Sequence, residues 1–122
     1  MELIMSDFEH DELAVRFRFD EFEGVLTWSG VSDARDPGAL LNPYLDSLVE
    51  LLQGKKCRVD LRRLTYMNSS SVSPLMRFIK TLTQQQIPTE VTFDRSVSWQ
   101  QTSCRAFKMI SMRMPLLKII EK

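Results

Sequence analysis

Asn68-Ser69-Ser70-Ser71 is the run in this chain whose side chains could carry chemistry. Three adjacent hydroxyls and an amide can accept hydrogen bonds from the free N–H groups of a first helical turn, so the run reads as a helix N-terminus. A hydroxyl there is also a group that a kinase can modify. A phosphate adds roughly −1.5 to −2 charges and three acceptor oxygens. The helix N-terminus carries about half a positive charge, so the fold tolerates that addition while the surface changes sign. The structural alternative is a cap residue with spare polar neighbours. The nearby Arg62 and Arg63 are candidates to compensate phosphate charge.

Elements on both sides must position the run. Before it, Cys57, Val59 and Leu61 alternate with Arg58, Asp60 and Arg62, the period of a strand with one buried face. After it, Leu75, Phe78, Ile79 and Leu82 recur at helical spacing. Pro74 is expected in the first helical turn, where its missing N–H has no partner to lose. Because proline disfavours a helical Ser73, the helix is expected to start a few residues later than it otherwise would.

This strand, serine turn and helix resemble the signature of STAS domains of the anti-sigma-factor antagonist type, in which an Asp-Ser-Ser-Gly turn follows a strand. Laid on this chain, the aspartate falls on Asn68, the serines on Ser69 and Ser70, and the glycine on Ser71. The segment is more similar still to STAS-like bacterial regulatory phosphoproteins with an Asn-Thr-Ser-Ser turn. The resemblance extends from about Arg58 to Lys80 and is loose, by element order, elsewhere. It implies phosphorylation at Ser69 by the second analogy or Ser70 by the first, with Asn68 and Ser71 shaping the turn and partner surface. It also implies a protein partner: a Ser/Thr kinase that is itself an anti-sigma factor, a phosphatase, or a signalling enzyme such as a diguanylate cyclase. A STAS-like scaffold without phosphoregulation is the alternative, and a homodimer is left open.

Composition is consistent with a regulator of this kind. The 122 residues are enough for one domain with a hydrophobic core. Basic and acidic residues balance at 16 each, which points to neither a nucleic acid nor a membrane surface as partner. No apolar run approaches the ~20 residues of a membrane-spanning helix, the acidic start MELIMSDFEHDEL has no leader design, and two widely spaced cysteines fit a reducing cytoplasm. His10 is the one histidine, and none of the four glycines belongs to a phosphate-cradling loop. No acid–base pair or metal-ligand spacing stands out, so the expectation is a non-enzymatic protein with no cofactor.

In chain order, residues 1–12 read as a lead-in whose Leu3, Ile4, Met5 and Phe8 could dock. Leu13, Val15, Phe17 and Phe19 mark a strand, Gly24 a permissive turn, and residues 25–29 the second arm of a hairpin. Leu41, Leu45, Leu48 and Leu52 mark a helix closed near Gly54. Val91 and Phe93 face inward from a strand, and a helix follows with Val97, Cys104, Phe107 and Ile110 inward. Ser98 and Gln101 have capping-box spacing. Trp99-Gln100 matches a tryptophan–glutamine element of one STAS-like branch, against the alternative of a tryptophan packed over the start of the helix. Residues 109–122 form a terminal strand or a short helix. The expected fold is α/β: a STAS-like mixed sheet of 4–5 strands with helices mainly on one face, in a single domain spanning residues 1–122.

Overall fold

The computed structural model describes the backbone of residues 4–122 and the side chains of residues 7–122. Its chain order is β1 (Ile4–His10), β2 (Leu13–Phe19), β3 (Glu23–Ser32), α1 (Pro37–Leu51), β4 (Lys56–Met67), α2 (Ser69–Gln84), β5 (Thr89–Phe93), α3 (Ser98–Ser111) and β6 (Leu117–Glu121). The six strands lie in one sheet in sequence order. β1, β2 and β3 are antiparallel, and β3 to β6 are parallel. The class is α/β with a mixed sheet, and the strand number exceeds the expected four to five.

One additional strand comes from the segment read as a lead-in. β1 pairs along its whole length with β2 through backbone bonds. Asp7, Glu9 and His10 are exposed, and Phe8 alone among the described side chains packs on the core, against Tyr44. An edge strand needs ladder bonds more than apolar area, so its alternation is faint in sequence. Docking of Leu3 and of the Ile4 and Met5 side chains lies outside the described residues. At the other end, the tail is strand: β6 runs parallel to β5.

Parallel strands added in one direction, each through a helical crossover, bring successive helices to one face of the sheet. Burial agrees with this rule. Leu13, Val15, Phe17, Leu26, Trp28 and Val59 share one core with Leu41 to Leu52 of the first helix region, Leu75 to Leu82 of α2, and Cys104 and Phe107 of α3. Arg16, Arg18, Val25, Thr27, Arg58 and Asp60 occupy the opposite strand phase and are exposed or half-buried. Among the described residues, no helix is long and apolar enough to cross a membrane.

Two glycines are required, for different reasons. Gly24 lies inside β3 rather than in the hairpin turn, and a Cβ there would sit 2.5 Å from Leu52 Cδ2 and 2.8 Å from Phe17 Cε1. Close approach, rather than permissive backbone, explains it. Gly30 has φ +89°, and a Cβ would lie 1.8 Å from the Glu12 carbonyl oxygen. Gly30→Ala should therefore lower stability by about 2 kcal/mol or more, through left-handed strain plus displacement of the β1–β2 turn. Urea unfolding checks this, and a loss below about 0.5 kcal/mol would contradict the geometry.

Candidate functional site

The serine run sits where β4 hands over to α2, at the carboxyl end of the parallel strands. β4 reaches this point by an irregular route. Asp60 pairs with Thr27 but Arg63 pairs with Ser29, and Leu64 pairs with Gly30 but Tyr66 with Val31. Each step inserts one extra β4 residue, so inward positions fall at Leu61, Leu64 and Met67. On the other edge, pairing with β5 stops at Asp60 and Thr92. The Leu61 and Leu64 carbonyls beyond it lie within reach of α3, and two side chains at its start bind them.

Gln100 Nε2 donates to Leu61 O at 2.8 Å and to Leu64 O at 3.0 Å, and Trp99 Nε1 donates to Leu64 O at 3.0 Å. Gln100 Oε1 accepts the Asp94 N–H at 2.7 Å. Gln100 is fully buried with all these bonds made. The tryptophan–glutamine pair thus closes the end of β4, and Trp99 also packs against the core. Val97, not Ser98, is the cap residue of α3, with no side-chain cap bond, and Gln101 instead donates to the Arg95 carbonyl. Val97 and Ile110, expected inward, are half-buried.

Asn68 caps α2. Its Oδ1 accepts from Ser71 N at 2.9 Å and from Ser71 Oγ at 2.6 Å, and its Nδ2 donates to the Ala34 carbonyl at 3.2 Å. An aspartate could make the first two bonds but not the third, which gives asparagine a physical reason to stand here. Ser71 is fully buried and also receives the Ser32 hydroxyl at 2.8 Å. Ser69 and Ser70 are exposed, and neither hydroxyl makes a hydrogen bond among the described residues. The helix starts at Ser69, earlier than expected, with Ser73 helical and Pro74 buried in the sixth helical position. That position lies beyond the first turn, so the proline removes a bond to the Ser70 carbonyl. The cap and the burial of Pro74 and Leu75 outweigh the local bias.

Ser69 lines one end of a groove of about 640 Å³ running along α2 past Val72, Met76, Arg77 and Lys80, with Ile110 of α3 on its far side. Arg77 is held by Asp46 at 2.8 Å. Near the end of α3, Met109 and Met112 are 72% and 86% exposed, whereas Met114 packs on the core.

Arg62 and Arg63 are not brought to this groove. They project from β4 into a cleft that Arg16 and Arg18 of β2 also line. Arg62 is bound to Asp60 through Nε at 3.0 Å and Nη2 at 2.9 Å. Arg62 stands five chain positions before Met67, roughly 13–16 Å along a strand shortened by its bulges. Sequence separation understated that distance because the intervening segment is extended. Ser32 and Ala34, which complete the cap, carried no sequence signal: they meet Asn68 and Ser71 only because β3 lies beside β4.

Cys57 and Cys104 are both buried free thiols, and burial pushes both up from the ordinary thiol range, against nucleophilic use. Among the described residues, no group of three or more His, Cys, Asp or Glu side chains is placed to hold a metal ion. No protein-family model matches this chain, and no curated protein matches it in sequence.

Proposed function

We propose that this domain is a non-enzymatic bacterial signalling regulator that binds a partner protein through the surface around the start of α2 and is switched by phosphorylation of Ser69 or Ser70. The resemblance to STAS-like phosphoproteins suggests the function class. The observation that carries the reading is the division of labour in the serine run: Ser71 is consumed by the cap, while Ser69 and Ser70 are presented to solvent. A kinase can reach the latter two without unfolding anything.

The expected partner is a Ser/Thr kinase or anti-sigma factor, or a signalling enzyme such as a diguanylate cyclase, with a phosphatase reversing the mark. Ser69 lines the groove, so a phosphate there adds close to two negative charges beside an apolar floor of Val72, Met76 and Ile110. A partner seated on that floor would have to desolvate the phosphate, which weakens binding strongly. The phosphate itself rests on the positive end of α2, and the domain keeps its fold.

Phosphate mapping by peptide mass spectrometry, on protein purified from its own cells, tests this. Phosphate at Ser69 or Ser70, together with loss of a co-purified partner in Ser69→Asp or Ser70→Asp, is the expected result. Unmodified serines under several growth conditions, with partner binding indifferent to both substitutions, would replace it with an unregulated scaffold.

A further inference from the structure

The helix-free face of the sheet carries a feature that the phosphoswitch does not use. Arg16 and Arg18 rise from β2, and Arg62 and Arg63 rise from β4. Between them β3 contributes only Val25 and Thr27, so long cationic walls flank a short floor. The resulting cleft has a volume of about 690 Å³, within the ordinary range for small-ligand sites.

Its charges are unequally committed. Arg18 is bound to Asp7 at 2.7 Å, and Arg62 to Asp60. Asp94, the other acid lining the cleft, accepts from the Ser96 backbone N–H and hydroxyl. Arg16 and Arg63 make no ion pair or hydrogen bond among the described residues. Four guanidinium groups against the two lining carboxylates and Asp7, which is paired to Arg18, leave a local excess of one positive charge, in a chain whose overall formal charge is zero. The excess is concentrated on one concave surface.

We propose that this cleft binds a condensed phosphate chain, such as that of inorganic tripolyphosphate or a nucleoside triphosphate. Guanidinium forks match phosphate oxygens in pairs, and free arginines on opposite walls can grip one chain from both sides. β2 and β4 stand about 10 Å apart across β3, too narrow for a helix with its side chains, which needs about 10–12 Å, to settle between arginine walls. An extended polyanion fits. The floor has no aromatic side chain on which a base could stack, so the phosphate chain rather than a base supplies recognition.

Isothermal titration of the intact chain with tripolyphosphate and separately with ATP tests the proposal. Both are expected to bind with similar affinity, weakening as salt rises. An Arg16→Ala/Arg63→Ala double variant should lose at least about tenfold in affinity for each, since each substitution removes charge-assisted bonds. Arg77→Ala, on the helix-covered side, should change nothing. Circular dichroism identical to the parent keeps a folding defect from imitating the loss. Tighter binding of ATP than of tripolyphosphate, still lost in the double variant, would keep the site and identify the nucleotide as its ligand. Absence of binding at about 1 mM of either anion, or binding that the double variant leaves intact, would overturn the proposal.

Discussion

Gln100→Ala is expected to lower the unfolding free energy by about 3 kcal/mol, because it strips partners from backbone groups at the end of β4 and at Asp94. The glutamine satisfies carbonyls at Leu61 and Leu64 and accepts the Asp94 N–H, all from a fully buried position. Leu64 O keeps the Trp99 indole, but Leu61 O and Asp94 N lose this side-chain partner, and each such group costs about 1–3 kcal/mol when left unmatched. Gln100→Glu distinguishes hydrogen bonding from packing. Its carboxylate can still accept from Asp94 N but faces two carbonyl oxygens, so it should be at least as destabilised at neutral pH. Part of the loss should return in acid, where a protonated carboxyl can donate. Urea unfolding with an unchanged m-value is the measurement. A loss below about 1 kcal/mol for Gln100→Ala would mean that these carbonyls are satisfied another way.

Ser71→Asp should be still more damaging, at about 4 kcal/mol or more, whereas Ser69→Asp and Ser70→Asp should leave stability within about 0.5 kcal/mol of the parent. The three positions are adjacent, but the contrast follows from where their hydroxyls sit. An aspartate at 71 would press a carboxylate against Asn68 Oδ1 and the Ser32 carbonyl, with no water to solvate it. At 69 or 70 the same charge stands in solvent at the positive end of a helix. Thermal unfolding should show a drop of roughly 10–20 °C for the first variant and almost none for the others. Equal behaviour of all three would remove the structural reason for preferring Ser69 and Ser70 as modified positions. The result also bears on kinase access, because a phosphate at 71 would demand local unfolding.

These two expectations meet at β4. The bulges that turn Leu64 inward and then return Met67 to the same face lie where the strand runs past the end of β5, which creates the need for Gln100 and delivers Asn68 beside Ser32 and Ala34. The same course leaves Arg62 and Arg63 on the helix-free face, separated from the serines. A strand without bulges would have kept the simple alternation seen from Cys57 to Arg62 and turned Leu64 to the other face.

What the sequence determined by itself was whatever depends on neighbours a few residues apart. The alternation of Leu13, Val15 and Phe17, the helical stripe of Leu41, Leu45 and Leu48, and the cap chemistry of Asn68 are local patterns, and each element formed where its pattern lies. Tertiary structure decided whatever depends on which strands become neighbours. β1 exists as a strand because β2 offers it an edge, Gly24 is small because Leu52 and Phe17 converge on it, and Ser71 differs from Ser69 and Ser70 because Ser32 lies behind it. The arginine cleft belongs to this second group: Arg16 and Arg63 are 47 positions apart in the chain and share one surface because β3 runs between their strands. Periodicity records which face a side chain takes, but strand order and register are long-range choices set by the whole core, and no local window contains them.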